Sequence, residues 1–117
     1  MEEIVSIFLQ FQITLKIYHW RTNSYSRHKA SDSLIGSLNS HIDKFVEVMQ
    51  GSRDKKISFS KKGRVDIINV NDKDIITVLK EFKAWFEALP LPEKDLQNIR
   101  EELLADVNQT LYLFTLH

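Results

Sequence analysis

His28, Asp32, Asp43 and Glu47 are spaced so that one helical stripe carries an imidazole and three carboxylates. At about 100° per residue, with His28 as the origin, Asn39 lies at about 20°, Asp32 at about 40°, Asp43 at about 60°, Gly36 at about 80° and Glu47 at about 100°. The apolar residues of the same segment fall between about 200° and 340°, so the polar stripe faces a flank or a neighbour rather than the core. A second imidazole, His19, closes the preceding periodic segment at the edge of its apolar stripe and can face the same flank. Asp43 and Glu47, four residues apart, present two carboxylates side by side for one ion or a bridged pair. Two imidazoles beside carboxylates favour iron, with zinc or manganese behind it, over magnesium or calcium, which take oxygen ligands. Taken alone, an acid pair at this spacing is more often a solvated face, and a single helical histidine is more often a packing residue.

The segments that must position these groups are helical. Ile4, Phe8, Phe11, Leu15 and Tyr18 form one stripe, and Ile35, Leu38, Ile42, Phe45 and Met49 form the next. Ile75, Leu79, Phe82, Phe86 and Leu89 follow, then Leu96, Ile99, Leu103, Val107, Leu111 and Phe114. This periodicity predicts helices over about 3–21, 26–50, 72–89 and 92–116. Ser24 or Ser26 can cap the second, Gly51 supplies its stop, and Asn71 with Asp74 brackets the start of the third. The Leu89-Pro90-Leu91-Pro92 run separates the last two helices. Residues 51–71 break the period, and the alternation Ile57-Ser58-Phe59 and Val65-Asp66-Ile67 about Gly63 suggests a short β-hairpin. Extended, this connection reaches about 70 Å, against about 33 Å for a 22-residue helix, so it can cross the whole bundle and leave the second and third helices parallel. The expectation is an all-α, ferritin-like four-helix bundle in a single domain, two helical hairpins joined by a long crossover.

Composition narrows the chemistry. The 117 residues contain no Cys, which excludes disulfides, thiolate metal sites and a cysteine nucleophile. Sixteen basic residues balance sixteen acidic ones, so no global field draws the chain to nucleic acid or anionic lipid. Polar residues Gln10, Gln12, Lys16 and His19 interrupt the first apolar segment, which reads as neither signal peptide nor membrane span. No phosphate-binding glycine loop, nucleophile elbow or His-Glu-x-x-His motif is present.

Lys16-Ile17-Tyr18-His19-Trp20, followed by His28-Lys29-Ala30-Ser31-Asp32 and then Asp43-x-x-x-Glu47, resembles the ferroxidase signature of the Dps proteins, the miniature ferritins. The resemblance covers residues 16–50, including the step from His28 to Asp43. It implies His19 and His28 as nitrogen ligands, Asp43 and Glu47 as carboxylate ligands, and Asp32 as a neighbouring acid. It further implies a site shared across a two-fold dimer, histidines of one subunit facing carboxylates of the other. The chain is shorter than typical Dps and lacks a lysine-rich tail. From Leu96 through Asp106 to Asn108 and Tyr112, the sequence resembles a small uncharacterised ferritin-like family of large DNA viruses and phages.

Other features have plainer readings. Leu9, Ile13, Ile17 and Trp20 form a second apolar group on the first helix, expected to be an oligomer interface. The crossover carries Arg53, Lys55, Lys56, Lys61, Lys62 and Arg64 against Asp54, but with Phe59 as its one aromatic it reads as a solvated loop rather than a nucleic-acid arm. His41 is expected to be a hydrogen-bonded core histidine, Glu102-x-x-x-Asp106 a second acid pair flanking the core, and His117 a frayed end. The function expected is binding of non-haem iron at an inter-subunit site, with ferroxidase activity, in an intracellular or virion homo-oligomer without nucleic-acid or membrane partners. The alternative is a metal-free structural or assembly module.

Overall fold

Each apolar stripe becomes a buried helix face. The computed structural model describes residues 1–116; His117, expected to fray, lies outside the described residues. Four helices form: α1 (Glu2–Arg21), α2 (Tyr25–Arg53), α3 (Asp72–Ala88) and α4 (Lys94–Leu113). Ile4, Phe8, Phe11, Leu15 and Tyr18 of α1 are all buried, as are Leu38, Ile42, Phe45 and Met49 of α2. Ile35, Leu89 and Leu111 lie at the core's edge, half-buried. Phe8 sits at the centre, edge-on to Phe45 and Phe86 with ring centroids 5.3 and 5.5 Å away.

Local chemistry sets the ends. Ser24 Oγ accepts from the Arg27 N–H at 3.3 Å, so Ser24 is the cap that starts α2. Gly51 does not stop α2; the helix continues to Arg53 and ends at Asp54, whose φ of 48° and ψ of 48° place it in the left-handed region. Aspartate tolerates that conformation better than most residues, and Arg53 is anchored by Glu93 at 2.7 Å, which holds the last turn. The Asp74 carboxylate accepts from the Asn71 N–H at the start of α3. At its end, the carbonyls of Phe86 and Leu89 accept from the Arg100 guanidinium. The two prolines precede α4 rather than beginning it.

α2 packs against α1 and α4, and α3 against α4 and α1. The crossover over 54–71 fixes the directions. Near its beginning the Ser60 N–H and hydroxyl donate to Glu2, midway the Asp66 N–H donates to Gln10, and at its end Arg21 donates to Asn71. The segment therefore climbs the full length of α1, and α3 descends parallel to α2.

No strand forms among the described residues, which corrects the expected β-hairpin. The reason is reach. A hairpin over 57–67 doubles back and leaves about seven residues, at most about 24 Å of extended chain, to cover the roughly 30 Å length of a 20-residue helix. Backbone groups that would have paired across a hairpin bond to Gln50, Glu2 and Gln10 side chains instead.

Candidate metal centre

The short turn between α1 and α2 lays the last turn of one helix against the first turns of the other. His19 and His28 meet there, with rings stacked at 3.9 Å between centroids and 16° between planes. His19 Nδ1 lies 3.0 Å from the His28 carbonyl oxygen, and His28 Nδ1 lies 2.9 Å from the His19 carbonyl oxygen. A carbonyl only accepts, so both Nδ1 atoms carry hydrogen and donate. In the neutral rings both Nε2 atoms are then left with free lone pairs, the tautomer a metal-binding histidine adopts when its other nitrogen donates to the backbone. Ser31, fully buried, tightens the arrangement: its hydroxyl donates to the His28 carbonyl and stands 3.0 Å from His19 Nδ1. Asp32 reaches within 3.9 Å of His19 Nε2, with its side chain 71% exposed against 11% for His19.

Asp43 and Glu47 are elsewhere. They lie farther along the same helix, about 22 and 28 Å from His28 at 1.5 Å per residue. Both are exposed, and among the described residues neither takes part in an ion pair or hydrogen bond. They line an apolar cavity of about 310 Å³ between α1, α2 and the crossover. Within one chain the structure thus joins His19, His28 and Asp32 but brings neither Asp43 nor Glu47 to them. Among the described residues no group of three or more His, Asp or Glu side chains is placed to hold a metal.

Two polar clusters go beyond the sequence reading, and His41, expected to be a hydrogen-bonded core histidine, is instead partly exposed and held at ion-pair distance from two acids. His41, at the α2–α4 contact, has Glu102 at 3.2 Å from Nε2 and Asp106 at 3.0 Å from Nδ1. The Nδ1 contact is an ion-pair distance without hydrogen-bond alignment, and both atoms are buried without another partner. The i,i+4 acid pair was visible in the sequence; its partner across the interface was not. The second cluster closes the end of the bundle near His19. Tyr18 donates to Asp72 at 2.6 Å, Thr22 donates to the same oxygen at 2.8 Å, and Arg27 reaches the Tyr18 hydroxyl and the carbonyls of Asp72 and Phe114. The Tyr18 hydroxyl, with Thr22 and Arg27, holds the Asp72 carboxyl below its ordinary range, while burial, then the bond to Asp72, pushes the Tyr18 phenol up.

Residues 19–114 match the model of a family of unknown function, DUF5856. The chain belongs to that family. It is also similar to a protein of Enterobacteria phage T4 described as an uncharacterized 14.6 kDa protein in the mobD-ri intergenic region, with 25% identity over 115 residues covering 98% of this chain and 88% of the relative. No solved structure matches the chain. Among the described residues no helix is long and apolar enough to cross a membrane.

Proposed function

We propose that this protein is a small ferritin-like, Dps-like homo-oligomer that binds non-haem iron between two subunits and oxidises it. The observation that carries the reading is the reciprocal locking of His19 and His28, which turns both Nε2 lone pairs out for a ligand. Asp43 and Glu47, exposed and unpaired, are the acids that a second subunit brings to the imidazoles. The long crossover with parallel α2 and α3 is the connection expected of a ferritin-like bundle.

Iron is the substrate in this reading. Two Fe²⁺ each lose one electron, and hydrogen peroxide takes both electrons with two protons and leaves as two waters. Asp43 and Glu47 neutralise the charge that grows on oxidation, and mixed oxygen and nitrogen donors suit iron, with zinc or manganese as competitors. Asp32, 3.9 Å from His19 Nε2, is the nearby acid that carries protons at the site. The similarity to a phage T4 protein fits a viral or phage source and a place in the infected cell or the virion.

Anaerobic Fe²⁺ titration followed by peroxide addition tests the assignment. Asp43→Ala with Glu47→Ala should lower iron affinity at least about 100-fold and stop iron-dependent peroxide consumption, with helicity unchanged. Equal turnover in that variant and the parent sinks the proposal. The second reading is a metal-free assembly module, favoured by the exposed apolar strip of Leu9, Ile13 and Trp20 on α1. There the histidine pair serves as a clasp between α1 and α2, and a chelator-treated protein assembles as the untreated one does.

A further inference from the structure

We propose that a second copy of this chain seats its Trp20 in the apolar groove that Asp43 and Glu47 border. The inference rests on the two-fold pairing above and adds the contact that would anchor it. The groove holds about 310 Å³ and is walled by Val5, Phe8, Leu9, Ile42, Val46 and Phe59. Trp20 is 69% exposed one residue beyond His19, an unusual place for the largest apolar side chain of a helix. With Leu9 and Ile13, also exposed, it forms one outward strip along α1.

The register of the hairpin says what can meet what. Gln12 bonds to Asn39 and His19 to Ser31, so residues of α1 and α2 stand level when their numbers sum to about 50 or 51 at the common rise of 1.5 Å per residue. The imidazole–carboxylate pairing proposed above sets the axis. An antiparallel two-fold that puts His28 opposite Glu47 of the partner subunit has its axis between residues 37 and 38 of α2 and sets Asp32 level with Asp43 of the partner subunit, two like charges that a shared cation would have to bridge. That level corresponds to residue 13 of α1. Rotation about it carries Trp20 of the partner subunit to the level of residue 6, between Val5 and Leu9, where the groove lies. The same operation brings His19 of the partner subunit level with Asp43. One axis therefore serves both the imidazole–carboxylate match and the indole–groove match. Gly36 lies about one residue from the axis, and a Cβ built there meets nothing within 4 Å, so this face is open to a neighbouring helix.

The groove is apolar where Trp20 must sit and acidic where the histidines must sit. An indole filling a desolvated pocket ringed by polar groups is the usual anchor of a protein interface. The alternative occupants, another protein or none, are separated by the same measurements.

The test uses the full chain without metal. Trp85→Phe leaves Trp20 as the one tryptophan of a chain that has two. As concentration rises through association in sedimentation experiments, its emission should move to shorter wavelength and its quenching by iodide should fall at least about threefold, as burial of an interface aromatic requires. Trp20→Ala should weaken self-association by about 30-fold or more while keeping its helicity, and Leu9→Asp should do so from the groove side. A chain that stays monomeric, a dimer whose Trp20 remains open to iodide, or a Trp20→Ala variant that associates as the parent does would each overturn the proposal. Dimers that bury Trp20 yet bind no iron would leave it standing and refute the iron reading; iron binding by dimers with exposed Trp20 would do the reverse.

Discussion

The two histidine clusters that α2 shares with its neighbours, with α4 at His41 and with α1 at His28 and His19, use similar residues differently. His41 has a carboxylate at each ring nitrogen, both from α4 of its own chain. Both contacts bridge α2 to α4 at ion-pair distance, the one at Nδ1 without hydrogen-bond alignment. His19 and His28 spend Nδ1 on each other's backbone and leave Nε2 unspent, with only Asp32 nearby. His41 stands between two carboxylates of its own chain, whereas His19 and His28 fix their tautomer and leave Nε2 free, the arrangement that the proposed iron site requires. In the proposed dimer the matching acids are Asp43 and Glu47, which form no ion pair among the described residues.

Metal binding should separate the clusters most strongly. His19→Ala with His28→Ala should lower Co²⁺ or Fe²⁺ affinity by two orders of magnitude or more, while His41→Ala changes it less than about twofold; anaerobic titration reads both. Comparable losses in the two would erase the distinction. Stability should show the converse pattern at smaller amplitude. His41→Ala removes two ion-pair contacts between α2 and α4, both involving partly exposed groups, and should cost no more than about 1 kcal/mol in urea unfolding, whereas metal affinity stays near that of the parent.

The smallest expected effect concerns acid. Asp72 has a folded-state pKa below its unfolded value, caused first by the Tyr18 hydroxyl, so its contribution to stability is present above the usual carboxylate range and is lost as pH falls through it. The Asp72 side chain is half exposed, so the slope is shallow. Urea midpoints at pH 5 and pH 3 should differ less in Asp72→Asn than in the parent, and acid should speed hydrogen exchange at the His19 end of the bundle before the opposite end, where Arg53 pairs with Glu93. Equal acid sensitivity of the parent and the variant would remove Asp72 from this role.

Periodicity made the helices legible because burial on one face leaves a period of 3.6 in the residues themselves. The stripe of His28, Asp32, Asp43 and Glu47 was legible for the same reason, since spacing along one helix fixes direction. Gly51 misled because a helix end depends on what its last turn can bond to, and Arg53 finds Glu93 across the bundle. The hairpin misled because alternation in residues 57–67 describes a local preference, while the length of α1 decides how much chain must stay extended.

The sequence by itself determined four amphipathic helices, the absence of thiol chemistry, and which acids and imidazoles share a face, because these follow from residue type and fixed helical geometry. Tertiary structure alone decided that His19 and His28 donate to each other's carbonyls, that His41 meets Glu102 and Asp106, and that an apolar groove opens beside Asp43 and Glu47. Those are contacts between helices, set by the height at which one packs against another, and no pattern along a single helix encodes that height.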